Sequence, residues 1–115
     1  MSKATSVSRR RTLAGSAPVF AALGDETRLA LVARLSEGDA VSITQLTAGT
    51  DVTRQAITRH LEVLEDAGLV RGTRRGRERL WRLERAKLDI ARRSLAQISD
   101  WWDEKLAALK LAVED

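Results

Sequence analysis

The C-terminal part of the chain, from about Glu84 to Val113, contains neither glycine nor proline and is amphipathic. Its apolar residues advance by threes and fours, which is the spacing of one face of an α-helix. They are Leu88, Ala91, Leu95, Ile98, Trp102, Leu106, Leu109 and Val113, with Trp101 beside them. A domain built from 115 residues is too small to cover such a helix along its length. Since an exposed apolar stripe invites aggregation, a second copy of the chain is the simplest cover; the alternative is that the stripe folds back wholly onto its own core.

The composition of the chain favours a single helical domain. With 43% hydrophobic and 31% charged residues, one proline and seven scattered glycines, it should form helices rather than a turn-rich β structure. It contains no cysteine, which excludes disulfides and thiolate metal sites. No apolar run approaches the roughly 20 residues of a membrane span, and the stretch after residues 9–11 is too broken for a signal peptide. We therefore expect a cytoplasmic protein with no membrane partner.

Positive charge is concentrated in the middle of the chain. Residues 53–87 carry 10 basic and 5 acidic side chains, compared with 6 and 5 in residues 1–52 and 4 and 6 in residues 88–115. Four of these arginines fall within the stretch RRGRER, which begins at Arg74. Such repulsion stabilises nothing inside a domain, so it indicates a polyanionic partner. The alternative is a solvated surface without a partner.

Helix-start and helix-stop residues divide the first half of the domain into short helices. One helix begins near Pro18, a residue favoured at a first helical position, and ends at Gly24. Asp25 can cap a second helix. Ser42, with Gln45 three residues later, gives the capping-box pattern of a third.

A fourth helix is predicted over residues 54–67, with Thr53 as its N-cap. With the short helix before it, this makes a helix-turn-helix arrangement. Its apolar face consists of Ile57, Leu61 and Leu64. The solvent-facing side at its N-terminal end carries Arg54, Gln55, Thr58 and Arg59. Arginine, glutamine and hydroxyl side chains read base edges, and the helix dipole favours phosphate at the same end.

Two strands, Leu69–Thr73 and Arg77–Leu83, are predicted to form a hairpin around a glycine-containing turn. Trp81 and Leu83 share one face of the second strand and should pack inward. At the tip of the hairpin lie Arg74, Arg75 and Arg77. We expect these arginines to clamp phosphates or the minor groove beside the fourth helix.

Three segments, FAALGDETRLALVARL from Phe20, ITRHLEVLEDAGLV from Ile57 and GRERLWRL from Gly76, together resemble the ArsR-type winged-helix repressors. The resemblance implies a mainly α fold with a small β-hairpin: a winged helix-turn-helix of the order α-α-α-α-β-β-α that dimerises through its terminal helices. It also implies a homodimeric repressor whose partners are double-stranded DNA and a second copy of itself.

The resemblance assigns roles to individual residues. The helix that begins after Thr53 would enter the major groove, so the contact candidates there are Thr53, Arg54, Gln55, Thr58 and Arg59. His60 matches a histidine of the family pattern and would either touch a phosphate or buttress the helix. The dimer interface would include Phe20, Leu95, Ile98, Trp101, Trp102 and Leu106. Residues 17–115 would form the domain, with its dimerisation helix at about 85–113. Residues 1–16 are mostly Ser, Thr, Arg and Lys with few large apolar groups, and this composition predicts a flexible basic N-terminal arm.

The family is best known for metal sensing, but this chain lacks the ligands. It has no cysteine on the first helix of the helix-turn-helix, and its single histidine is not on the last helix. A zinc or arsenite site needs soft or imidazole ligands at fixed spacing, so we expect no metal site and no cofactor. Trp101 and Trp102 could border an apolar pocket; a small-molecule effector therefore stays open, although nothing else in the sequence supports one.

The function predicted from these features is sequence-specific DNA binding by a homodimeric repressor of an inverted-repeat operator. An enzyme is not expected, because the chain has no Cys or Tyr, one His, and neither a glycine-rich phosphate loop nor a paired-acid motif. Two alternatives stay open. One is a winged-helix protein–protein interaction module, which would need exposed apolar anchors on the fourth helix; the other is a regulator that responds to a small ligand bound at its dimer interface.

Overall fold

The computed structural model describes residues 9–11 and 13–114 of the chain. Its elements, in order, are α1 (Ala17–Leu23), α2 (Glu26–Leu35), β1 (Val41–Ser42), α3 (Ile43–Thr47), α4 (Arg54–Asp66), β2 (Val70–Arg75), β3 (Glu78–Leu83) and α5 (Arg85–Glu114). Residues 9–11 and 13–14, which precede α1, are helical as well. The predicted fold class is confirmed: the chain is mainly α-helical and forms a winged helix-turn-helix.

Local hydrogen bonds at the helix starts are those that the sequence predicts. The Asp25 carboxylate accepts from the backbone N of Arg28 at 3.0 Å. The Thr53 hydroxyl accepts from the backbone N of Ala56 at 3.1 Å. Ser42 forms the complete capping box at the start of α3. Each cap satisfies a backbone N–H that has no partner within the helix, which stabilises the helix by about 0.5–2 kcal/mol.

The sheet has three strands in the order β1-β3-β2, all antiparallel. Strand β1 was not predicted, because it has only two residues, too few for an alternating pattern. It exists because Val41 pairs with Trp81 of β3. The hairpin turn is shorter than predicted, since Arg75 pairs with Glu78 and only two residues lie between them. One of these is Gly76, whose φ of 65° suits glycine at a tight turn.

The core lies where α2 and α4 pack against the sheet. The largest side chains that are fully buried are Trp81, Leu35, Ile57, Leu61, Leu64 and Leu69. Burial of one such side chain contributes about 1.5–3 kcal/mol, so this cluster holds α4 firmly by one face. The prediction that Trp81 packs inward is confirmed, because only 1% of the residue is exposed.

The segment before α1 differs from the prediction of a flexible arm over residues 1–16. Residues 1–8 lie outside the described residues, but residues 9–11 and 13–14 are helical and Ser16 is only 1% exposed. The hydroxyl of Ser94 donates to that of Ser16 at 2.9 Å, and Ser16 donates to the carbonyl of Leu13 at 2.8 Å. The polar composition of the segment suggested exposure to solvent. A serine can nevertheless be buried where its hydroxyl group has hydrogen-bond partners, as the hydroxyls of Ser16 and Ser94 do here.

Helix α5 packs against the domain through its first turns, and further along it contacts Arg9, which lies 4.6 Å from the Trp101 ring centroid and 3.7 Å from Glu104. Within it, Ala91 and Ser94 are the buried residues. The rest of the apolar stripe faces solvent, and Trp102 and Leu109 are 58% and 61% exposed. The alternative in which the stripe folds back wholly onto its own core is therefore wrong. No helix that the described residues form is both long and apolar enough to span a membrane.

Candidate nucleic-acid interface

The exposed side of α4, which we call the reading helix, carries the predicted base-contacting residues. Its opposite side is fixed by Ile57, Leu61 and Leu64, none of which is more than 1% exposed. Arg54, Gln55 and Arg59 are exposed. Within the described part of the chain neither arginine has an ion-pair partner. A rigid helix thus presents two guanidinium groups and an amide, the side chains that make bidentate contacts with guanine and adenine.

The two threonines among the candidates are already engaged within the helix. Thr53 accepts the capping hydrogen bond from Ala56, and Thr58 donates its hydroxyl hydrogen to the carbonyl of Arg54 at 2.9 Å. Thr58 keeps free lone pairs and can still accept a hydrogen bond from a base amino group. Thr53 sets where the helix begins and therefore where the positive end of its dipole lies.

His60 directs its Nδ1 atom toward α2. Its Nδ1 atom lies 3.4 Å from Nη1 of Arg28 and 3.9 Å from Oδ2 of Asp25. Arg28 in turn donates through Nε to the carbonyl of Ala22 at 2.6 Å. The hydrogen bond from the backbone N of Arg28 lowers the pKa of the Asp25 carboxyl, so Asp25 stays ionised at neutral pH. Of the two roles open to His60, these contacts favour buttressing the helix over touching a phosphate.

The wing, which comprises β2, β3 and their turn, carries its arginines in two different settings. Arg74, Arg75 and Arg77 are exposed at the tip, and none of them has an acidic partner within 4.0 Å among the described residues. Arg79, the fourth of the cluster, lies 3.3 Å from Glu65 and 4.3 Å from the Trp81 ring centroid. The three tip arginines are therefore available to phosphates, whereas Arg79 is held against the domain.

Sequence reasoning missed the contact between the reading helix and the wing. An oxygen of Glu65, in the last turn of α4, accepts from the backbone N of Gly72 in β2 at 2.8 Å. Neither residue carries a sequence signal for this contact, because it depends on the angle at which the hairpin leaves the helix. The role of Arg28 was missed for a similar reason, since its partners lie on α1 and α4.

The predicted dimer residues fall into three groups. Four of them are exposed along one face of α5: Leu95, Ile98, Trp102 and Leu106. We call this face, together with Leu109 and Val113, the apolar stripe. Trp101 is half-buried beside Arg9, whose guanidinium lies 4.6 Å from the ring centroid. Phe20 is half-buried against the core. The stripe is thus the part of this set that is left uncovered.

A cavity of about 620 Å³ lies beside the stripe, between Arg9 and α5, and Trp101 and Trp102 both line it. Among residues 9–11 and 13–114, no three or more His, Cys, Asp or Glu side chains are grouped so that they could hold a metal ion.

Known proteins that are similar in sequence include transcriptional regulators. A family model described as a helix-turn-helix domain matches residues 23–73. An uncharacterised HTH-type transcriptional regulator of Bacillus subtilis (strain 168), YuzN, is 44% identical over an alignment of 68 residues, and the match covers 54% of this chain and 74% of that protein. The arsenical resistance operon repressor of Escherichia coli (strain K12) is 29% identical over 105 residues, covering 76% of this chain and 90% of the repressor.

Solved structures agree with the sequence comparisons. An ArsR-like transcriptional regulator from Rhodococcus sp. RHA1 superposes with a TM-score of 0.72 at 41% sequence identity, over 86% of this chain and 92% of that one. The family-model match over residues 23–73 contains the helix-turn-helix with the reading helix and ends within β2. The chain therefore belongs to the ArsR family of DNA-binding winged helix-turn-helix transcriptional regulators.

Proposed function

We propose that the protein is a homodimeric repressor that binds an inverted-repeat operator in the cytoplasm and blocks transcription there. One observation carries the proposal: Arg54 and Arg59 are exposed and have no acidic partner among the described residues, on a helix whose other face is buried in the core. Fixed guanidinium groups on a major-groove helix are the residues that most often specify guanine. The predicted contact residues on this face, Arg54, Gln55, Thr58 and Arg59, are all polar. A protein partner would need large apolar side chains there, so this composition favours a nucleic acid.

The apolar stripe supports the dimer. Six large side chains on one face of α5 are at least 43% exposed in the single chain, and pairing with a second copy would remove them from water. A two-fold dimer of this kind presents two reading helices, and these would fit successive major grooves about 34–36 Å apart. The operator would then be an inverted repeat, because its symmetry must match that of the protein.

We assign the arginines at the wing tip to the DNA backbone. Replacing Arg75 with alanine should weaken binding to all duplexes similarly and reduce the slope of log affinity against log salt by about 1 per protomer. A titration of one specific and one random duplex at several salt concentrations measures both effects. Arg92→Ala is the control, since it removes one positive charge from the outer side of α5. If Arg75→Ala and Arg92→Ala changed the slope equally, the wing assignment would be wrong.

We also propose that regulation does not depend on a thiolate metal site. The chain contains no cysteine and one histidine, whereas arsenite binds soft thiolate ligands. Arsenite or zinc added at stoichiometric concentration should leave the affinity for the operator unchanged. Fluorescence anisotropy with labelled operator measures this directly. Release of the DNA by either ion would contradict the proposal.

The proposed function is tested by selection from a pool of randomised duplexes at moderate salt, followed by sequencing of the bound fraction. We expect enrichment of one inverted repeat. A bound fraction with the same sequence distribution as the starting pool would show that the protein does not read sequence, and the proposal would fail.

A further inference from the structure

One carboxylate connects the reading helix to both strands of the wing. Glu65 lies in the last turn of α4, and its Oε2 atom accepts from the backbone N of Gly72 on β2 at 2.8 Å. Its Oε1 atom lies 3.3 Å from Nη2 of Arg79 on β3. A carboxylate that accepts from a backbone N–H and a guanidinium at the same time is held more firmly than an ordinary surface ion pair.

The opposite side of Arg79 is fixed as well. Its guanidinium carbon lies 4.3 Å from the centroid of the Trp81 ring, and Trp81 is almost completely buried. Cation–π attraction holds the guanidinium against the face of the buried ring. Arg79 is therefore clamped between the ring and the carboxylate.

Gly72 makes room for this arrangement. It pairs directly with Trp81 across the hairpin. A Cβ atom at position 72 would lie 2.8 Å from Nε of Arg79 and 3.0 Å from an atom of the Trp81 ring. Because Gly72 has no positive φ, its backbone does not require glycine. The requirement for glycine comes from the side chains of Arg79 and Trp81, which both lie against position 72.

We propose that Glu65, Gly72 and Arg79 form a latch that fixes the angle of the wing relative to the reading helix. Glu65 and its two partners are positioning residues, because they act through the wing-tip arginines rather than by touching DNA. This inference rests on the proposed function, since the angle matters only if wing and reading helix engage the same duplex.

The sign of a charge effect separates the latch from simple electrostatics. Glu65 is an anion close to a DNA-binding surface, so its charge alone opposes phosphate binding. If charge were its only effect, removing it would tighten binding. If it holds the wing, removing it weakens binding, because the wing arginines lose their fixed position.

Glu65→Gln is the test variant and Asp66→Asn its matched control. The two residues are adjacent on α4, both changes remove one negative charge, and Asp66 is exposed and makes no ion pair or side-chain hydrogen bond within the described part of the chain. The probe is the inverted-repeat duplex that the selection above enriches most. We expect Glu65→Gln to bind it about tenfold more weakly and Asp66→Asn to bind it as tightly as the wild type or more tightly.

A second variant reaches the latch without changing charge. Gly72→Ala should displace Arg79 from the Trp81 ring, because the flexible guanidinium can move and the buried ring cannot. We expect a loss of affinity in the same direction as for Glu65→Gln. Thermal unfolding of each variant shows whether the fold is retained, and if only one variant folds, that variant carries the test.

A double-mutant cycle distinguishes a positioning role from a general loss of structure. If Glu65 acts through the wing, Arg75→Ala should cost less affinity in the Glu65→Gln background than in the wild type. The latch is overturned if Glu65→Gln binds like Asp66→Asn, or if Arg75→Ala costs the same fold-change in both backgrounds. If the wild type itself prefers no duplex, the proposed function fails, and this inference fails with it.

Discussion

Leu106→Glu is expected to convert the protein to a monomer and to weaken operator binding by a factor of about 10²–10⁴, which is the gain that joining two half-site contacts provides. In the single chain Leu106 is 44% exposed at the centre of the apolar stripe. A second copy would bury this position, and a carboxylate there would lose its hydration without gaining a partner. The protomer itself should stay folded, because the core does not include Leu106.

Ala107→Glu provides the matched control for the dimer prediction. Successive residues of an α-helix are about 100° apart, so Ala107 points away from the stripe while carrying the same added charge. Sedimentation velocity at micromolar concentration gives the mass, and anisotropy with labelled operator gives the affinity. If Leu106→Glu sedimented as the wild type does, the stripe would not be the dimer interface.

Arg59→Ala is expected to cost about 1–3 kcal/mol per half-site and to relax the sequence preference at one position of each half-site. The loss should be this large because Arg59 lies on a helix that the core prevents from adjusting, so no neighbour replaces its contact. The measurement is a repeat of the duplex selection with the variant, which reports the preference at every position at once.

Arg59→Lys separates base reading from phosphate contact at the same residue. Lysine keeps the positive charge but cannot make the planar, bidentate contact of a guanidinium. If Arg59 reads a base, the sequence preference at its position should weaken in both variants. If Arg59 binds a phosphate, lysine should restore most of the affinity that alanine loses. Retained sequence preference in Arg59→Ala would contradict the assignment.

Features that depend on neighbours along the chain could be predicted from the sequence. The caps at Asp25, Ser42 and Thr53 involve residues three positions apart, and the inward face of α4 follows from helical spacing. The hairpin, too, follows from a glycine between two strand-like runs. Such local rules were sufficient to place the helix-turn-helix and the exposed arginines of the reading helix.

Features that depend on distant partners could not be predicted. Strand β1 exists because Trp81 is available to pair with Val41, and the burial of Ser16 depends on a hydroxyl from Ser94, in α5. The contact between Glu65 and the wing is of the same kind. From sequence alone, a polar residue is expected to be exposed unless a hydrogen-bond partner is known. The sequence therefore suggested a flexible arm over residues 1–16, although residues 9–11 and 13–14 are helical and Ser16 is buried.

We propose above all that two copies of the chain bind one duplex, each placing its reading helix in one of two successive major grooves. A hydroxyl-radical footprint on both strands of the selected duplex tests it most directly. We predict two protected tracts related by a two-fold axis, with centres about one helical turn apart, and loss of both tracts together in Leu106→Glu. A single protected tract, or protection spread evenly along the duplex, would contradict the account.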